Sequence, residues 1–156
     1  MKYTRLTKEQ FEELHHEFAR FLAAQSIDVK EWSSLKEMRP KVAEEILDVF
    51  SDVVWEGVLE KVDYIETWSK NQVYLFYFGS AVADLIAIKG LNPAIDFNTP
   101  EGFAWLKENF EKDEVELYKA SKPYSEDKNI DKFECIKHGG VITKGGFYNN
   151  LKKLVD

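Results

Sequence analysis

The hydrophobic period of this chain changes from about four to two near residue 63, and no other feature constrains its fold as strongly. Upstream, apolar residues recur three and four apart, as on one face of a helix. From there to about residue 88 they alternate, as on half-buried strands. Helices followed by strands predict the α+β class: N-terminal helices packed on a small, mainly antiparallel sheet of about four strands, with further helices at the C-terminal end. At 156 residues the chain has the size of one ordinary domain, and 1–156 is expected to form a single α+β domain.

Local signals place the elements. Thr7-Lys8-Glu9-Gln10 is a capping box, and Leu6 and Phe11 sit at the staple positions. Phe11, Leu14, Phe18, Phe21 and Leu22 then form one stripe of a helix expected to reach about Gln25. Asp28 and Glu31 repeat the device, and Pro40 suits the first turn of a third helix. That helix should carry Val42, Ile46, Val49, Phe50, Val53 and Val54 on a broad apolar face and end near Val62.

Tyr64–Trp68, Gln72–Phe78 and Val82–Ile88 read as a three-stranded meander, with Gly79-Ser80 as a tight turn whose glycine takes positive φ. Both faces of the middle strand are apolar, so it should be central and covered on both sides. Thr99-Pro100-Glu101 starts a helix that buries Phe103, Leu106 and Phe110. Val115–Ala120 is a fourth strand. A helix from about Asp127 to Lys137 ends on Gly139. Thr143 is expected to cap a last helix that buries Phe147, Leu151 and Leu154.

Composition narrows the function classes. The 44% hydrophobic and 14% aromatic content is too rich for disorder. A net charge of −7 disfavours non-specific attraction to nucleic acid or anionic membranes, and no Lys/Arg run opposes it. With Cys135 as the single cysteine, neither an intramolecular disulfide nor a thiolate-rich zinc site can form. The N-terminus lacks the apolar core of a signal peptide, and no apolar run approaches the length of a bilayer span. The expectation is a cytoplasmic protein.

Several constellations suggest chemistry. Glu12 and Glu13 precede His15 and His16 by three residues, half of a di-metal carboxylate site, but no second Glu-x-x-His exists to complete it. No metal or cofactor is expected. Cys135 and His138 lie one helical turn apart, yet Glu134 beside the cysteine opposes a thiolate.

Asp48, Asp52 and Glu56 follow one another at four-residue spacing, with Glu44 upstream. Like charges so placed repel, and an offset is needed: a nearby Lys or Arg, a cation or a basic partner. Trp55 flanks this row as a candidate contact for a partner. His138 to Gly146 holds glycines, Thr143 and Lys144, but the order and context of a phosphate loop are wrong. Backbone N–H groups at Thr143, Lys144 and Gly145 still offer an anion-binding helix start. If they serve a pocket, Lys122, Tyr124 and Lys144 should gather around it.

Three stretches carry a resemblance: Met1 to Phe11, Phe50 to Leu59, and Tyr124 to Asn129 together with Val141 to Gly145. They resemble a domain-of-unknown-function family of short, acidic, intracellular proteins from Bacteroidetes, over essentially the whole chain. The resemblance implies a bacterial cytoplasmic protein and implies no activity, substrate or cofactor.

The reading favoured by the residues is a non-catalytic protein-binding or adaptor module that uses Asp48, Asp52, Glu56 and Trp55. Its expected partner is another protein or a second copy of the chain, not nucleic acid or a membrane. The alternative is a small-molecule or anion binder, conceivably an enzyme, using the helix start at Thr143, Lys144 and Gly145.

Overall fold

The computed structural model describes residues 1–155. The chain divides into two compact units, Met1–Val58 and Leu59–Asp156. Among the described residues there are seven helices and a five-stranded antiparallel sheet.

The first unit is helical. Thr7 closes the expected capping box: its hydroxyl accepts from the Gln10 N–H at 3.2 Å, and the Gln10 side chain accepts from the Thr7 N–H at 2.8 Å. The helix expected to run to Gln25 is instead two, α1 (Lys8–Glu13) and α2 (His15–Ala24), joined at Leu14 with φ −101° and ψ 21°. Leu14 still donates to the Gln10 carbonyl and accepts from the Phe18 N–H, so the joint is a kink and not a break. His15 Nδ1 lies 2.8 Å from the Glu12 carbonyl, a side chain competing for a helical acceptor at the kink.

α2 closes through Ser26, which sits in left-handed geometry at φ 61°, while the Ile27 N–H returns to the Leu22 carbonyl. α3 (Val29–Met38) starts on Asp28, whose carboxylate accepts from the Glu31 N–H at 2.8 Å. α4 (Pro40–Glu60) opens on its proline as expected. Phe18 and Phe50 meet edge-on at 4.9 Å, and Phe11, Phe21 and Trp32 complete the aromatic core. On α4, Ala43 and Phe50 are buried, but Val42, Val49 and Val53 are exposed, contrary to the broad apolar face expected. The helix instead turns its Ser51–Asp52 margin toward the N-terminal segment, which hydrogen-bonds there.

The second unit is built on the sheet, ordered β4-β3-β2-β1-β5. Its strands are β1 (Tyr64–Trp68), β2 (Gln72–Phe78), β3 (Val82–Gly90), β4 (Val115–Pro123) and β5 (Val141–Thr143). β2 is central, as its two apolar faces require. The sheet has five strands and not about four, because Val141–Thr143 pairs with β1 through Tyr64↔Thr143, Ile65↔Ile142 and Glu66↔Val141. Three residues are too few to show a period, and the pairing comes from the edge that β1 offers.

The β2–β3 turn also differs: the Gly79 N–H donates to the Val82 carbonyl at 3.1 Å, so Ser80 and Ala81 form the turn and Gly79 does not take positive φ. One sheet face buries Val73, Leu75, Ile86 and Ile88 against Leu106 of α5 (Pro100–Asn109) and Leu151 of α7 (Gly146–Val155). The other face packs Ile65 and Phe78 on Val62 and on Cys135 and Ile136 of α6 (Lys128–Lys137).

α5 and α6 begin as read, on Thr99 and Asp127. α7 does not begin on Thr143, which belongs to β5. Its buried residues are Tyr148 and Leu151, while Leu154 is 47% exposed. Tyr148 sets that face by packing on Tyr64 and Tyr77, with ring centroids 5.7 and 5.8 Å away.

Candidate functional site

Strand alternation puts Phe76 and Phe78 on the sheet face that α6 covers. The register sets Phe76 opposite Leu85 and Phe78 opposite Ala83. It then sets Leu85 opposite Ala120 and Ala83 opposite Lys122. Phe78 therefore stands beside Ala83, and Leu85 beside Ala120, and the step down to these alanines leaves a recess. α6 reaches this face at the β1–β2 side and bounds the recess with Asp131, Glu134 and Cys135. The result is a cleft of about 540 Å³ with a mainly apolar lining.

Tyr124 forms one end of the cleft. Its ring stacks on Phe78 with centroids 6.4 Å apart and planes 15° apart. Its hydroxyl donates into the β2–β3 turn, 2.6 Å from the Gly79 carbonyl and 3.1 Å from that of Val82. Burial, with Asp84 next in importance, pushes its pKa up to about 12, so the phenol stays protonated and holds the turn. The Lys128 ammonium lies over the same ring, 5.5 Å from its centroid.

The charged residues of the rim differ in what they already bind. Asp131 accepts from the Ser125 N–H at 2.9 Å and from its hydroxyl at 2.6 Å. Glu134 lies 3.7 Å from the Lys137 ammonium and 4.0 Å from His138 Nδ1. Lys122 makes no side-chain hydrogen bond or ion pair among the described residues.

Burial pushes the Cys135 thiol pKa up, Asp131 and Glu134 push the same way, and Lys122 opposes them. The thiol is thus held protonated, which is the wrong state for a nucleophile. His138 directs Nδ1 to the Glu134 carbonyl at 2.7 Å, and no hydrogen bond joins it to Cys135 among the described residues.

Beneath this rim lies Lys132, buried, with its Nζ donating to the Leu59 carbonyl at 2.7 Å. Leu59 is in the last turn of α4, so the ammonium caps a helix C-terminus. Burial and Lys128 lower its pKa, and Asp63 and Glu60 oppose that shift. Neither the cleft nor Lys132 stands out in the sequence. The available signals were the apolar second face of β2 and the Tyr118, Ala120, Lys122 alternation on β4, whose meaning depends on the register of three strands.

The acidic row is occupied from within the first unit. Asp52 accepts the Lys2 and Tyr3 backbone N–H groups, one on each oxygen, at 2.8 and 2.9 Å. Glu56 accepts from the Lys2 ammonium at 2.8 Å and the Tyr3 hydroxyl at 2.9 Å. Arg5 Nε lies 2.6 Å from Asp48 and holds that carboxyl below its usual range. The offset that the repulsion demanded is therefore the N-terminal segment. Trp55 is half-buried near Tyr3, with ring centroids 6.5 Å apart.

The other expected site is separate. The Thr143 hydroxyl accepts from the Gly145 N–H at 3.1 Å, taking up a donor that an anion would need. Gly145 has φ +82° and abuts the Tyr64 ring. Lys144 follows β5, at the sheet edge opposite β4, so the structure does not gather it with Lys122 and Tyr124. No group of three or more His, Cys, Asp or Glu among the described residues is placed to hold a metal ion. No helix among them is long and apolar enough to cross a membrane.

Fold and cleft together define an α+β protein with an apolar recess beside an antiparallel sheet. The chain belongs to a family of unknown function, DUF6495, whose model matches residues 1–156. No curated protein and no solved structure matches it.

Proposed function

We propose that this protein is a non-catalytic binding module whose site is the cleft over β2, β3 and β4. The observation that carries the reading is a recess of about 540 Å³ lined by Phe76, Phe78, Ala83, Leu85 and Ala120 with a few polar groups at its rim. That size and lining match small-molecule sites, which span roughly 300–1,000 Å³ and are mostly apolar. This reading replaces the favoured protein-binding module with the small-molecule alternative, and its site is neither the row on α4, where the N-terminal segment uses the carboxylates, nor the start at Thr143, but the sheet. The protonated Cys135 thiol and the hydrogen-bonded Asp131 favour binding over catalysis at the cleft.

The family resemblance supports a bacterial cytoplasmic setting, and the net charge of −7 argues against nucleic acid as the partner. Native mass spectrometry of protein purified gently from its own cells tests the reading. A small-molecule adduct is expected, and Ala120→Trp, which fills the recess from an exposed strand position, should lose it. An adduct that survives Ala120→Trp, or a bare chain that no apolar compound stabilises against heat, rejects the cleft as the site.

A further inference from the structure

The cleft is asymmetric, and its asymmetry bears on the class of molecule it takes. Along β4 the residues facing it are Tyr118, Ala120 and Lys122, opposite Ala87, Leu85 and Ala83 on β3. Lys122 thus stands at the end that Tyr124 closes, beside the β2–β3 turn. Away from that end the same face continues past Leu85 and Ala120 to Ala87, Tyr74 and Tyr118, and Tyr118 is 52% exposed. The recess is an apolar track with Tyr124 at one end, where Lys122 and Asp131 both stand at its rim.

The rim carries two carboxylates and one ammonium, so a simple count favours a cationic ligand. The hydrogen bonds show which of these charges is still without a partner. Both oxygens of Asp131 are held by Ser125, and Glu134 lies 3.7 Å from the Lys137 ammonium. Lys122 has no such partner, and its four-carbon stem lets the ammonium stay in water while the chain lies along apolar surface.

We propose that the ligand is an amphipathic carboxylate, free in solution, whose apolar chain lies on the Ala83–Leu85–Ala120 track and whose head group pairs with Lys122. The proposal rests on the cleft being the binding site, and its test separates the two. Isothermal titration of the full chain with dodecanoate, dodecanol and dodecyltrimethylammonium compares one chain under three head groups. Dodecanoate should bind one to one and most tightly.

Lys122→Gln should weaken dodecanoate by about threefold to fivefold, the scale of one solvent-exposed ion pair, and leave dodecanol unchanged. Lys122→Arg should retain binding. Lys122 is exposed, so these variants leave the fold intact. Equal binding of dodecanoate and dodecanol, or tighter binding of the ammonium, overturns the carboxylate assignment while the cleft stands, provided Ala120→Trp abolishes all three. If none of the three binds, or if Ala120→Trp changes nothing, the cleft reading falls and the carboxylate falls with it.

Discussion

Ser51→Ala tests how the N-terminal segment is fastened. Ser51 is fully buried on α4, its hydroxyl donates to the Leu47 carbonyl at 2.7 Å, and it accepts from the Leu6 N–H at 3.0 Å. Alanine removes one oxygen and leaves the Leu6 N–H without its acceptor in a place water does not reach. An orphaned buried donor costs about 1–3 kcal/mol. Alanine returns up to roughly 0.5 kcal/mol through its higher helix propensity. The expected net loss is therefore about 1–2 kcal/mol. Urea denaturation followed by tryptophan fluorescence reads it, since Trp32 and Trp55 report on this unit. Ser33→Ala, at an exposed position of α3, is the control and should shift stability by less than about 0.5 kcal/mol. If Ser51→Ala shifts no more than the control, the Leu6 donor is solvated and the segment is not held through it.

Three further outcomes follow from backbone and titration. A Cβ at Gly102 would lie 1.7 Å from the Asp96 carbonyl oxygen, a backbone clash no rotamer relieves, so Gly102→Ala should destabilise by about 3 kcal/mol or more and show a lowered thermal midpoint. Ser26→Gly should stabilise by about 0.5–1 kcal/mol, the left-handed penalty less the added freedom of the unfolded glycine, measured by the same urea titration. Tyr124 has a folded pKa of about 12 against 10.0 unfolded, so its contribution is complete below pH 10 and lost as pH rises toward 12. Stability measured across that window should fall less steeply in Tyr124→Phe. Some slope should remain, because Tyr3 is shifted in the same direction.

What the sequence made legible is what neighbours along the chain decide. Thr7 with Gln10 and Thr99 with Pro100 each close a helix start within four residues as read, and Asp28 caps α3 by accepting from the Glu31 N–H, the half of that second capping box that the structure shows. The three meander strands are long enough to display their period. β5 was not legible, because Val141–Thr143 has no period and becomes a strand only by meeting Tyr64–Glu66. The exposure of Val42, Val49 and Val53 was hidden for a similar reason: the orientation of α4 is tied to Lys2, Tyr3 and Leu6, 45 to 54 residues away. The acidic row was visible and its need for an offset was stated, but the identity of that offset was not. The cleft depends on a register across β2, β3 and β4, which alternation alone does not supply.

β4 is the nine-residue outer strand of the sheet, and it bears on how copies of this protein coexist at high concentration. A long outer strand is a template on which another chain can grow, and natural sheets blunt that hazard with charge and proline. β4 carries Glu116, Lys119 and Lys122 and ends on Pro123, which has no N–H to offer. The other outer strand, β5, spans three residues and gives an incoming strand little to grip. Crowded copies would therefore be kept from sheet-to-sheet growth by lysine on one border and by shortness on the other.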